Sequence, residues 1–167
     1  MRAVLFDVDG VLIDSLPQHL DYCRDLARSW GLNDVVIPDR QAFRSMVDAG
    51  VKVSPMLAMF LAFGFPAERL GEAVDDYDRQ FMTTHPPQAF VGVGLMLEQL
   101  SQMGLRLGLV TANIRANVVP VLSKEMPQFE PGLCHFFDST PEPRTKAECL
   151  SQAIETLKCA SSDILYV

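Results

Sequence analysis

The sequence predicts an α/β protein: a parallel sheet layered between helices, three layers in all, with a block of helices inserted after the first strand. Three observations carry this reading. A wholly apolar run, Ala3-Val4-Leu5-Phe6, stands near the start and stops abruptly at acids. The stretch from Leu16 to about His85 shows helical periodicity broken by prolines, with no good strand in it. After Pro87 short apolar runs alternate with helical segments, the grammar of parallel strands joined by right-handed crossovers.

Each element has a local reason. Ala3–Phe6 reads as a buried strand. Ser15 is expected to cap a helix whose first turn tolerates Pro17. Leu16, Leu20, Cys23, Leu26, Ala27 and Trp30 then recur at helical spacing until Gly31 stops the run. Pro38, Pro55 and Pro66 each open a further helix, roughly 39–47, 55–63 and 67–83. Pro86-Pro87 ends the block, because proline disfavours helix in the residue before it. Beyond it the expected order is helix 94–103, strand 105–110, helix 114–124, a proline-rich loop, strand 135–137, helix 146–157 and strand 163–167. Gly92-Val93-Gly94 is read as a loop before a helix and not as a dinucleotide fingerprint, since no strand leads into it and the third glycine is absent. The domain boundaries follow: a discontinuous core of residues 1–15 and 88–167, and a helical domain of residues 16–87.

Composition narrows the function. With 49% hydrophobic and 21% charged residues, the 167-residue chain can build a core of its own. A net charge of −7 argues against sequence-independent binding to nucleic acid or to an anionic membrane. Neither is expected as a partner. Cys23, Cys134, Cys149 and Cys159 form no CxxC pair, and free buried thiols in a reducing, cytoplasmic setting are expected. His19, His85 and His135 lack metal-ligand spacing. No apolar run is long enough to span a bilayer, and the N-terminus does not read as a signal peptide.

The chemistry concentrates where strands end. In an open parallel sheet, reactive groups gather beyond the carboxyl ends of the strands. Asp7 and Asp9 follow the first strand, Thr111 and Asn113 follow strand 105–110, and Lys146 opens the helix before the last strand. Asp7, fixed by the sheet, can serve as a carboxylate nucleophile. A carboxylate attacking a phosphate meets like charge, which a magnesium ion (Mg2+) between the Asp7 carboxylate and the phosphate would offset. Asp9 can protonate a leaving oxygen and then activate water. Gly10 lets backbone N–H groups approach a phosphate. The Thr111 hydroxyl and the amides of Ala112 and Asn113, ahead of a helix, suit an anion. Thr145-Lys146-Ala147-Glu148 matches a capping box, which puts Lys146 in a first helical turn where the macrodipole disfavours a cation. A lysine there suggests a compensating benefit such as neutralising a phosphate, the alternative being a solvated surface side chain.

"DVDGVLIDS", "LGLVTAN" and "TKAECLSQAI" resemble the first three motifs of the haloacid dehalogenase-like hydrolase superfamily. The likeness runs over the whole chain and includes the helical insert, which in that superfamily is a cap on a Rossmann-like core. It implies that Asp7 is the phosphorylated nucleophile and Asp9 the acid/base, with the Asp9 carbonyl also on magnesium. It implies that Thr111 and Lys146 hold the phosphoryl group. Asp9 favours the phosphatase branch over the dehalogenases, which lack a second aspartate there. The superfamily's fourth motif, a Gly-Asp with a further acid after the last strand, is not found after "SSDILYV". The core is therefore expected to be truncated at its C-terminus, with a third metal carboxylate expected past Val167.

The resemblance implies a Mg2+-dependent phosphatase acting on a small phosphorylated metabolite, similar to phosphoglycolate phosphatase. A sugar phosphomutase using the same intermediate, resembling β-phosphoglucomutase, and a catalytically silent binding domain are the alternatives. The loop at Gly50–Ser54 lies between two cap helices, where such enzymes present selectivity residues, and Arg44 or Lys52 could reach a second anionic group. A monomer or weak homodimer is expected.

Overall fold

The computed structural model describes residues 1–140 and 145–167, which divide into two compact units: 1–14 with 88–167, and 15–87. Strands β1 (Ala3–Phe6) and β2 (Ile13–Asp14) come first. Helices α1 (Leu16–Ser29), α2 (Arg40–Asp48), α3 (Met56–Ala62) and α4 (Leu70–Thr84) build the inserted unit. The chain then returns through β3 (Gln88–Ala89), α5 (Val93–Gln102), β4 (Arg106–Val110), α6 (Arg115–Val121), β5 (Cys134–His135), α7 (Lys146–Leu157) and β6 (Ile164–Tyr166).

The main sheet is parallel throughout, in the order β5-β4-β1-β6. Its layers follow from side-chain alternation along each strand. Val4 and Phe6, with Leu107 and Leu109, pack against Val93 and Leu97 of α5 and Val118 of α6. Ala3 and Leu5, with Val110, pack on the other face against Cys149, Ala153 and Leu157 of α7. β1 is buried on both faces, which is why its sequence is continuously apolar. Register pairs Phe6 with Leu109 and Leu5 with Tyr166, so β1, β4 and β6 end side by side. Because β1 lies between β4 and β6, the chain order reverses there, and the crevice beyond such a switch point is where α/β sheets bind ligands.

Gly108 answers to packing. A Cβ there would lie 2.7 Å from both Leu133 Cβ and a Leu5 methyl, and 2.8 Å from the Leu133 carbonyl. Its missing side chain lets the Pro131–Leu133 turn lie directly on the sheet.

In the inserted unit, α1, α3 and α4 share a core of Leu20, Cys23, Phe60, Ala73, Tyr77 and Phe81. Burial pushes the Cys23 thiol up to about 12, so it stays protonated and inert. α2 buries no residue fully; Phe43 and Met46 cover one side of that core. The side chain of Asp39 caps α2 by accepting from Ala42 N–H at 2.8 Å. Gly31, at φ +66°, closes α1, and Leu32 N–H returns to Ala27 C=O at 2.9 Å.

Some expectations need correction. Ser15 stands at the N-cap of α1, yet its hydroxyl makes no cap hydrogen bond, because its own backbone is already helical (φ −89°, ψ −18°). α6 stops at Val121, shortly after Pro120, which removes an N–H from the ladder. β5 lies at Cys134–His135, slightly before the expected strand. The antiparallel pair β2–β3, joining Ile13 to Ala89 and Asp14 to Gln88, has no counterpart among the expected elements. No helix among the described residues is long and apolar enough to cross a membrane.

Candidate active site

The end of β1 turns sharply. The N–H groups of Val11, Leu12 and Ile13 converge on the Val8 carbonyl at 3.2, 2.9 and 2.9 Å. Gly10 supports this turn with φ +77°, a conformation that suits glycine. Its own N–H donates to Ile13 C=O at 2.9 Å. Gly10 thus shapes the loop, and the amide assigned to phosphate from the sequence is already used.

Asp7 is held at both ends. Its N–H donates to Val167 C=O at 2.9 Å. Its Oδ1 accepts from Val8 N–H at 2.8 Å, and its Oδ2 accepts from Lys146 Nζ at 2.6 Å. Lys146 reaches that position because the capping box forms in full. Thr145 Oγ1 accepts from Glu148 N–H at 3.3 Å, and Glu148 Oε2 accepts from Thr145 N–H at 2.7 Å. Partial burial would lower the Lys146 pKa, but the hydrogen bond to Asp7 and the Asp7 charge, joined by Tyr166, prevail and raise it. The lysine is a firm cation beside the Asp7 carboxylate.

Thr111 follows β4 and is 2% exposed. Its N–H donates to His135 C=O at 3.0 Å, which locks the backbone. Its Oγ1 accepts from Asn113 N–H at 3.0 Å, leaving the hydroxyl hydrogen to donate elsewhere. The amides beyond it are largely spent. Ile114 N–H donates to Asn113 Oδ1 at 2.9 Å and Arg115 N–H to Asp138 Oδ1 at 2.9 Å. Ala112 is exposed, and among the described residues its N–H has no partner. The amide run expected to grip an anion therefore reduces to Ala112. Asn113 instead faces the second acid, its Nδ2 donating to Asp9 Oδ2 at 3.0 Å.

The structure thus brings Asp7, Asp9, Asn113 and Lys146 into one neighbourhood through two links, Asp7 to Lys146 and Asp9 to Asn113, with Thr111 joined through the Asn113 backbone. Arg44 and Lys52 lie in the inserted unit, both exposed and without an ion pair or side-chain hydrogen bond among the described residues. Two neighbours escaped the sequence reading. Tyr166 of β6 interacts with Lys146 and Asp7 through charge, and its phenol is pushed up by burial and by the Asp7 charge, against an opposing pull from Lys146. Asn117 Nδ2 donates to Asn113 Oδ1 at 3.0 Å. Strand alternation could have flagged Tyr166, as the residue level with Leu5 and on the α7 side of the sheet. Asn117 carried a signal as well, standing one helical turn after Asn113.

Two carboxylates on one turn supply the hard oxygen donors that Mg2+ takes, and that ion is commonly held by one or two carboxylates plus waters and substrate phosphate. The donor chemistry fits, although the described residues hold no cluster of three or more His, Cys, Asp or Glu side chains.

Comparison with known proteins shows the family. The family model for haloacid dehalogenase-like hydrolases matches residues 1–167. An N-acetylmuramic acid 6-phosphate phosphatase of Pseudomonas putida is 28% identical over 100% of this chain and 74% of its own length. A phosphoglycolate phosphatase of Xanthomonas campestris is 34% identical over 66% of this chain and 48% of its own. Among solved structures, a haloacid dehalogenase-like family protein from Streptococcus pneumoniae superposes with a TM-score of 0.74 at 22% identity, covering 99% of this chain and 74% of that one. A structure described as a β-phosphoglucomutase from Thermotoga maritima gives 0.63 at 20% identity, covering 99% and 75%.

Proposed function

Because this chain belongs to the haloacid dehalogenase-like hydrolases, we propose that its phosphatase chemistry is Mg2+-dependent hydrolysis of a small phosphate monoester through an aspartyl-phosphate on Asp7. The observation that carries the reading is the Asp7 carboxylate, fixed at the end of β1 by Val8 N–H and by a lysine 139 residues away in sequence. So costly a convergence of charges suits a carboxylate nucleophile facing an anion.

The residues divide the work. Asp7 attacks phosphorus, and the bond from phosphorus to the ester oxygen breaks. Asp9 gives its proton to the leaving oxygen, then takes one from the water that hydrolyses the acyl phosphate. The Thr111 hydroxyl, the Ala112 N–H and the Lys146 ammonium hold the phosphoryl oxygens. Bound at Asp7, with the Asp9 carbonyl, Mg2+ would supply charge neutralisation between carboxylate and phosphate. The names of the relatives support a small phosphorylated metabolite, such as a sugar phosphate or a phosphorylated hydroxy acid, as substrate.

Asp7→Asn tests this directly. It should abolish phosphate release from an aryl phosphate with the fold intact by circular dichroism. Asp9→Asn should reduce turnover by about 10²–10⁴-fold, the usual share of general acid–base catalysis. Wild-type turnover by Asp7→Asn would contradict the assignment.

A further inference from the structure

We propose that Asn113 is a positioning residue for the Asp9 carboxylate, backed by Asn117; the claim for the reaction rests on the function proposed above. Every polar group of Asn113 is committed. Its N–H donates to Thr111 Oγ1 at 3.0 Å, and its C=O accepts from Phe137 N–H at 3.0 Å. Its Oδ1 accepts from Ile114 N–H at 2.9 Å and from Asn117 Nδ2 at 3.0 Å. Its Nδ2 donates to Asp9 Oδ2 at 3.0 Å.

The amide can point only one way. Ile114 N–H is a backbone donor and cannot change role. Rotating the Asn113 amide would set Nδ2 against that N–H and Oδ1 against the Asp9 carboxylate, replacing two attractions with two repulsions. The carbonyl end is thus anchored to α6, while the donor end is presented to Asp9. The backbone of Asn113 is itself fixed by two separate segments, after β4 and after β5. Asp9 sits in the tight turn beyond the sheet, and Asn113 holds its side chain from a separate segment of the chain. Pinning Oδ2 sets the direction in which the rest of the carboxylate meets the reacting oxygen. An acid/base must lie within hydrogen-bond reach of the proton it moves, and a shift of about 1 Å can cost on the order of 10²-fold in rate.

Asn113→Ala should lower kcat on an aryl phosphate by about 10–100-fold, with KM and the affinity for inorganic phosphate nearly unchanged. Asn113→Asp keeps an acceptor for Ile114 and Asn117, so its contacts with the start of α6 are kept, but it loses the donor and sets a second carboxylate against Asp9. Its kcat should fall at least as far at an unchanged melting temperature. Asn117→Ala should give a smaller loss in kcat. A weakened phosphate affinity with kcat retained would make Asn113 a phosphate ligand and overturn the proposal, as would full activity in Asn113→Asp. The contact has a readout apart from activity: the Asn113 side-chain amide resonances in a nitrogen-15 spectrum should move in Asp9→Ala. Resonances indifferent to that change would overturn the proposal whether or not the chain releases phosphate. If wild type releases none, the proposed function fails while the resonances still decide the contact.

Discussion

Lys146 shows how two small effects of opposite sign can hide a functional residue from a stability measurement. Removing a cation from the first turn of α7 relieves an unfavourable dipole interaction of about 0.3–1 kcal/mol. It also strips Asp7 of a partly exposed partner, a pair of a kind worth about 0–1 kcal/mol. Lys146→Ala should therefore barely move the melting temperature while weakening inorganic phosphate binding tenfold or more, readable by calorimetric titration. A large loss of stability with unchanged phosphate affinity would make Lys146 structural. The raised pKa fixes the sign of the pH effect: the contribution of the pair is complete at neutral pH and is lost only as pH climbs through the folded-state value, in the strongly alkaline range. At this scale the sequence is informative where a residue's role is local. The Thr145–Glu148 box can be read from four letters and forms as expected. Asn113 cannot be read so well: its side chain is directed by Ile114, Asn117 and Asp9 together, and the last is 104 residues distant.

Elements are legible in proportion to their length and periodicity. The long amphipathic helices α1, α4 and α7 follow their apolar spacing closely. β2 and β3 have two residues each, too short for any alternation to show. Their pairing depends on segments brought together from either side of a long insert. Gly108 is equally silent, because an apolar strand reads the same whether its glycine is incidental or obligatory. The structure separates glycines that the sequence cannot. Gly108→Ala should destabilise the protein by about 1–3 kcal/mol, the usual cost of overpacking, since its Cβ would meet the Leu133 backbone as well as two side chains. Gly71→Ala, in α4 with nothing near its Cβ, should instead stabilise by up to about 1 kcal/mol. Urea unfolding of both variants checks the contrast, and equal effects would contradict this packing.

Across the whole molecule, the end of the sheet away from the site, where β4 begins, is tied by charge. Arg106, at the start of β4, donates from Nε and Nη2 to Glu130 at 2.8 and 2.6 Å, and from Nη1 to the Leu157 carbonyl that ends α7 at 3.2 Å. The Arg106 hydrogen bond holds the Glu130 carboxyl below its ordinary range. A depressed carboxylate stabilises the fold above its unfolded-state pKa, and that share is lost as pH falls through the folded-state value. Glu130→Gln should thus be less stable than wild type at pH 7, with the gap closing toward acid, as denaturant midpoints across pH would show. A gap that widened in acid would reverse the assignment. All these supports serve one arrangement, the aligned ends of β1, β4 and β6 with Asp7 at their centre. The most direct test is to quench the protein in acid during turnover of a small phosphate monoester with Mg2+ and map its mass. One added phosphoryl group is expected on the peptide holding Asp7, labile to hydroxylamine and absent from Asp7→Asn. Turnover without that adduct, or an adduct on another residue, would remove Asp7 from the role of nucleophile.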